Sequence, residues 1–249
     1  MKPYYYHEHE AAYRQIEQEG KTTWEELRGD KVGFEHFPNR PFLEQVLPLL
    51  ALPSPAQTDV LEYGCGTGPA ACFLAARGYR VEAVDLMPQA IELARRFAAE
   101  RSLHVHFGVQ DMCELTDQEP AKDYDLIVDS YCLQSIVTDA DRTRLFSAVR
   151  ARLKPSGYYL ISTAMYDPQR VYEGDYLFDE HTGICYEAAE GDAVCAGAIH
   201  IGDRPYWPHR RHLRPEALLR EVNAAGFRVL RQDGRLGGDL VCVHDDPRA

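Results

Sequence analysis

Apolar and polar positions along this chain follow two rhythms. Residues 1–50 read as amphipathic helices, with Tyr13, Ile16 and Glu17 in one segment, Trp24 and Leu27 in a second, and Phe42, Val46 and Leu50 in a third. Asn39 stands where it can cap the third helix, and Pro41 falls in a first turn that does not need its missing N–H. The segment Ala51-Leu52-Pro53-Ser54-Pro55-Ala56 then breaks the helical pattern. From residue 59 strands and helices alternate. Strands are expected at 59–63, 81–85, 104–109, 124–129 and 157–163, with helices at about 69–78, 88–101 and 139–153 between them. That order predicts an α/β fold with a doubly wound, mostly parallel sheet. Asp125-Leu126-Ile127-Val128 and Tyr158-Tyr159-Leu160-Ile161 are largely apolar runs, as buried strands covered by helices on both faces require. A helix at 215–225 and strands at 227–232 and 238–244 complete a set of seven strands. The Gly-rich turn between the last two suits an antiparallel edge hairpin.

Residues 165–214 interrupt the alternation and are rich in Tyr, Gly, Asp and His. They read as an insertion folded over a site, and residues 1–50 as a second, helical lid on one domain spanning 1–249. No internal repeat or second core is evident.

Composition narrows the function. The 249 residues are 45% hydrophobic and 27% charged, which is the make-up of a folded protein. The formal net charge of −12 disfavours a nucleic-acid partner and fits a cationic or neutral small-molecule substrate better. Seven cysteines without a Cys-x-x-Cys pair fit free thiols in a reducing compartment, so a cytoplasmic location is expected. The amino terminus lacks the apolar stretch of a secretory signal, and no apolar run approaches a membrane span.

The candidate chemistry collects at strand ends. Asp59-Val60-Leu61-Glu62-Tyr63 runs into Gly64-Cys65-Gly66-Thr67-Gly68 and then into a helix, which is the layout of a loop that lets backbone approach a ligand. The spacing is G-x-G-x-G, whereas a nicotinamide dinucleotide fingerprint is G-x-G-x-x-G. Glu62 ends the first strand, where it can attract a cationic amino group or hold the loop by accepting its N–H groups. Asp85 ends the second, where a carboxylate can accept both hydroxyls of a ribose. Asp111 follows the third and can accept from an adenine amino group, with Leu86 and Met87 giving apolar surface for the purine. One acid at a strand end is an ordinary cap; three at the correct strands point to an adenosine-bearing ligand.

These residues, with Asp129 after the fourth strand and Leu153-Lys154-Pro155-Ser156-Gly157 before the fifth, resemble the class I S-adenosylmethionine-dependent methyltransferases over roughly residues 59–163. The resemblance implies the Rossmann-like methyltransferase fold and S-adenosylmethionine as cofactor, with S-adenosylhomocysteine as product. It places Gly64, Cys65, Gly66 and Gly68 under the cofactor, Asp85 on the ribose, Asp111 and Met112 at the adenine, and Asp129 and Ser130 toward the methionine end. The expected activity is methyl transfer to N, O or S of a small molecule. A non-catalytic module that binds the cofactor and a nicotinamide-dependent oxidoreductase are the alternatives. Ser156 stands where many relatives have a second Gly, and Gln134-Ser135 where related enzymes often carry His, which leaves the general base open.

Candidates for that base are His200, His209 and His212, with Tyr166 as an aromatic wall beside the reacting groups. In the insertion, His209-Arg210-Arg211-His212 form a basic run able to clamp a carboxylate or phosphate, and Tyr131, Tyr166 and Tyr206 are candidate substrate contacts. No metal site is expected, because His209 and His212 lack a third ligand at useful spacing.

Overall fold

The computed structural model describes residues 4–21, 34, 36–115, 122–172, 175–189 and 195–245, apart from the side chains of His7, Glu8 and Glu17. The expected helix carrying Trp24 and Leu27 lies outside the described residues. The helices are α1 (Tyr4–Gln18), α2 (Arg40–Val46), α3 (Pro69–Ala76), α4 (Pro88–Ala99), α5 (Asp139–Arg152) and α6 (Pro215–Ala224). The strands are β1 (Asp59–Tyr63), β2 (Arg80–Asp85), β3 (His106–Val109), β4 (Tyr124–Ser130), β5 (Leu153–Ser162), β6 (Tyr176–Asp179), β7 (Ile184–Ala188), β8 (Ile199–Ile201), β9 (Arg204–Arg211), β10 (Phe227–Asp233) and β11 (Asp239–His244).

Seven strands form one sheet in the order β10-β11-β5-β4-β1-β2-β3. β1 runs parallel to both β2 and β4, and the order reverses direction there, which is the switch point where open α/β sheets bind ligands. β11 is antiparallel to β5 and to β10, so the late hairpin closes the edge as the turn chemistry predicts. Side chains alternate between two apolar layers. Leu61, Ile127, Tyr159 and Ile161 enter one with α5 and α6, while Val60, Leu126, Val128 and Leu160 enter the other with α2, α3 and α4. Full burial of each Leu or Ile stabilises by roughly 1.5–3 kcal/mol, which is why both faces of these strands are apolar.

Element ends differ from expectation where backbone turns intervene. Helix α3 stops at Ala76 because Gly78 takes a positive φ of 87° and the Tyr79 N–H returns to the Leu74 carbonyl. Helix α4 ends at Ala99, ahead of Ser102 at a φ of 54°, and β3 starts only at His106. β5 begins early, at Leu153, and its pairing with β4 shifts register around Lys154-Pro155-Ser156, where proline has no N–H to give.

The insertion is built rather than irregular. It forms a four-stranded antiparallel sheet, β6-β7-β9-β8, whose longest strand β9 packs against α1 and the 3-10 turn Leu133–Ser135. No helix among the described residues is long and apolar enough to cross a membrane.

One buried cation fastens the turn after β4. Arg142, 3% exposed, donates Nη1 to the carbonyls of Leu133 and Ile136, both at 2.9 Å, and forks onto Glu221 of α6 through Nε and Nη2 at 2.6 Å. Replacing it strands two carbonyls and a carboxylate together. Arg142→Met is expected to lower unfolding stability by about 3 kcal/mol or more, measured by urea titration; a loss under about 1 kcal/mol would show the fork to be incidental.

Candidate functional site

Sheet order lays the strand ends out in a row. Asp111 after β3, Asp85 on β2, Glu62 on β1, Ser130 on β4 and Ala164 after β5 all line one cavity of about 410 Å³. Gly64, Cys65 and Gly66 cross its floor, and Leu86, Gln110, Met112, Tyr131 and Gln134 add to its walls.

The glycine loop is shaped by close approach. Gly64 has a φ of 59°, and a Cβ there would meet Cβ and Sγ of Cys132 at 2.4 Å. Any larger residue would therefore push β1 away from the turn after β4. Gly68 takes the left-handed conformation as the cap residue of α3 and sits behind the loop, outside the cavity lining.

The three acids are prepared differently. Asp85 accepts the Gly66 N–H on Oδ2 and the Met87 N–H on Oδ1, each at 2.8 Å, and burial raises its pKa. Asp111 accepts the Cys113 N–H at 2.8 Å and the Tyr5 hydroxyl at 2.7 Å. Glu62 is 1% exposed, and neither of its oxygens has a hydrogen bond of good geometry. Burial pushes its pKa up to about 8, with the Ser130 hydroxyl and the Ala71 N–H close enough to oppose the rise. Of the two roles open to Glu62, holding the loop has passed to Asp85. Glu62 is left as an unmet acceptor facing the cavity.

Asp129 and Met87 serve from behind the wall. Asp129 is wholly buried and accepts the N–H groups of Cys132, at 2.7 Å, and Leu133, and the Tyr63 hydroxyl at 3.1 Å. Burial pushes its pKa up to about 7. Met87, fully buried, packs with Tyr13, Ile16 and Ala90. Next along the chain, Tyr131 holds a φ of 64° while its N–H bonds the Ser162 carbonyl at 2.8 Å, a strained backbone of the kind that marks functional turns.

Asn39 does not cap α2 with its side chain. Its backbone is unsuited to capping, at φ −96° and ψ 8°, and Nδ2 instead donates to Ser130 Oγ at 3.0 Å, 91 residues away. Asn39 is 2% exposed and lines the cavity beside Phe37 and Pro38.

Helix α1 covers the cavity with a stripe that the sequence reading passed over. Tyr5, His9 and Tyr13, four residues apart and so on one face, all line it. The signal was present as that spacing, but nothing in the sequence says which partner an amphipathic helix meets.

Of the insertion residues singled out from sequence, the structure brings Arg210 to the cavity, 8% exposed, and none of the others. His200 is exposed on β8. His209 lies 3.3 Å from Glu187 and beside the Tyr176 ring. His212 is held between Arg170 and Tyr172, and burial together with the charges of Arg170 and Arg210 drives its pKa down to about 3, so it stays neutral. Tyr166 stacks on Phe178 with Arg214 above it, and the Arg204 guanidinium lies over Tyr206. Arg211 bonds the Val137 carbonyl and Asp139. Strand alternation separates Arg210 from its β9 neighbours His209 and Arg211, whose side chains leave on the opposite face, while His212 lies past the strand end on Arg170 and Tyr172.

Two substitutions separate cavity from scaffold. Asn39→Ser removes no helix cap but deletes the buried bond to Ser130, so the loop from Phe37 to Asn39 should exchange amide hydrogens faster, with thermal stability lowered by about 1 kcal/mol. Gly64→Ala should cost about 2 kcal/mol or more by thermal denaturation. Unchanged exchange in the first, or unchanged stability in the second, would contradict this geometry.

Comparison with known proteins agrees with the geometry. A methyltransferase-domain family profile matches residues 60–157. The chain is 31% identical over 121 residues, 49% of its length and 48% of the relative's, to the ubiquinone biosynthesis O-methyltransferase of Xanthomonas campestris pv. campestris. It is 35% identical over 104 residues, 41% of its length and 45% of the relative's, to the 2-heptyl-1-hydroxyquinolin-4(1H)-one methyltransferase of Mycobacteroides abscessus. The chain thus spans about half the length of the curated relatives it matches. Among solved structures, the glycopeptide N-methyltransferase MtfA in complex with S-adenosylmethionine superimposes with a TM-score of 0.54 at 23% identity, covering 82% of this chain and 92% of that one. With the seven-stranded order and the glycine loop, this profile makes residues 60–157 similar to a methyltransferase domain, on a fold shared with solved S-adenosylmethionine-dependent methyltransferases.

Proposed function

We propose that this protein transfers the methyl group of S-adenosylmethionine to N, O or S of a small-molecule acceptor bound in the same cavity. The observation that carries the reading is the row of Asp111, Asp85 and Glu62 at consecutive strand ends over the glycine loop, each in a different state of hydrogen bonding. Glu62 provides the test of fit. A buried carboxyl with unmet acceptors calls for a cationic donor, and the amino group of S-adenosylmethionine is one. Asp85 has its two backbone partners and keeps lone pairs for ribose hydroxyls. Asp111, aligned by Tyr5 and the Cys113 N–H, faces the adenine end with Leu86 and Met112, and Ser130 faces the methionine end. Gly68, Met87 and Asp129 hold these groups from behind.

The cofactor supplies a methyl carbon already activated by the adjoining sulfonium. The chain's own contribution is alignment and exclusion of water: α1 closes the adenosine half, and the loop from Phe37 to Asn39 and strand β9 close the other. In this reading residues 1–50 and 165–214 act as lids on one domain. Holding two reactants in near-attack geometry can itself supply several kcal/mol of barrier lowering.

Isothermal titration tests the reading. S-adenosylmethionine and S-adenosylhomocysteine should each bind one site, and Asp85→Ala should weaken both by about tenfold or more. Glu62 adds a pH signature. With its pKa near 8 in the free protein, Glu62 is mostly protonated at pH 7, and an ammonium partner favours the charged form. Binding at pH 7 should therefore release up to about one proton, affinity should rise from pH 6 toward pH 8.5, and Glu62→Gln should flatten that dependence. No binding by the wild-type protein, or binding indifferent to Asp85→Ala, would refute the cofactor site.

A further inference from the structure

Two tyrosines at the start of α1 bind the core in different ways. Tyr4, buried and outside the cavity lining, accepts the N–H groups of Val137 at 2.5 Å and Thr138 at 3.1 Å, which seats the helix on the turn before α5. Tyr5, also buried, packs its ring against Tyr4 in an edge-to-face pair with centroids 5.0 Å apart. Its hydroxyl donates to Asp111 Oδ2 at 2.7 Å, and both residues line the cavity. As an anchor for α1, Tyr4 takes hold of backbone. The Tyr5 bond falls instead on the carboxylate assigned to the adenine.

Asp111 carries a donor on each oxygen. The Cys113 N–H binds Oδ1 at 2.8 Å and the Tyr5 hydroxyl binds Oδ2, so the carboxylate is held from its own loop and from α1 at once. Burial raises the Tyr5 pKa, and the Asp111 charge adds to the rise, so the phenol keeps its proton and stays the donor. Each carboxylate oxygen has two lone-pair sites, and one donor leaves the other open. Asp111 therefore offers the cavity an acceptor whose direction is fixed. An adenine meets that acceptor with an exocyclic N–H donor. A 6-oxopurine brings an oxygen to the same place, and two buried acceptors face to face stay unpaired.

Resting on the cofactor site proposed above, we propose that Tyr5 is a specificity-determining residue, which by occupying Asp111 Oδ2 holds this carboxylate as a pure acceptor and makes the site take a 6-aminopurine nucleoside and reject its 6-oxo counterpart. Tyr5 acts through Asp111 and is a positioning residue. Tyr5→Phe keeps the ring and its contact with Tyr4 and removes only the hydroxyl. Asp111 then has one oxygen free to turn away or to carry a proton, and a protonated carboxyl can donate to an oxo group. Discrimination falls while the helix stays seated by Tyr4.

The test titrates the full chain with S-adenosylhomocysteine and with S-inosylhomocysteine, the 6-oxo counterpart. The wild-type protein should bind the first about tenfold or more tightly than the second. Tyr5→Phe should cut that preference by about fivefold or more. Tyr4→Phe, which loosens α1 without touching Asp111, should keep the preference even where it weakens both ligands. Equal binding of the two ligands by the wild-type protein, or a preference that Tyr5→Phe leaves intact or enlarges, would overturn the proposal. So would a loss of both ligands by the same factor in Tyr5→Phe, or a preference that Tyr4→Phe erases as fully, since either would reduce Tyr5 to an anchor for α1. Failure of the wild-type protein to bind S-adenosylhomocysteine would instead strike the cofactor reading.

Discussion

The carboxylate of Asp85 is the joint on which the site turns. By accepting the Gly66 N–H and the Met87 N–H, it fixes the glycine loop after β1 to the start of α4 after β2. Those two strands are neighbours only because the sheet reverses order at β1, with β2 on one side and β4 on the other. The loop then lies close against Cys132, so no Cβ fits at Gly64, and the turn after β4 is itself held by Asp129 from below and by Arg142 from the side. Sheet topology thus becomes a fixed floor of backbone N–H groups and acids.

Over this floor the protein places side chains whose local interests are overridden. Asn39 gives up a helix cap to reach Ser130, and Tyr131 adopts a backbone conformation disfavoured for a bulky residue. Each costs stability where it occurs, and each borders the cavity. Electrostatics divides the same space. Acids gather at the β3, β2 and β1 ends, where neither oxygen of Glu62 is satisfied, and Arg210 also lines the cavity.

The β1 to β5 core was legible because its signals are local: largely apolar strands, alternating helices, and glycines at positions where backbone must approach closely. Asp85 and Asp111 were legible for the same reason, since strand ends can be read from the pattern. The lids were less so. Tyr5, His9 and Tyr13 share a helical face, yet their meeting with Asp111 and Gly66 depends on contacts about a hundred and about fifty residues distant along the chain, which periodicity does not encode. At the end of β9, the sequence marked four basic residues together, His209 to His212, and only strand geometry separated Arg210, lining the cavity, from Arg211, bonded to Asp139.

The most direct measurement of the central claim is a crystal structure of the protein with S-adenosylhomocysteine bound. The account predicts the ligand's amino group on Glu62, its ribose hydroxyls on Asp85 and its adenine beside Asp111, with the Asp85 bond to the Gly66 N–H retained. A ligand lying elsewhere, or one whose amino group ignores Glu62 while the loop is rebuilt, would contradict it.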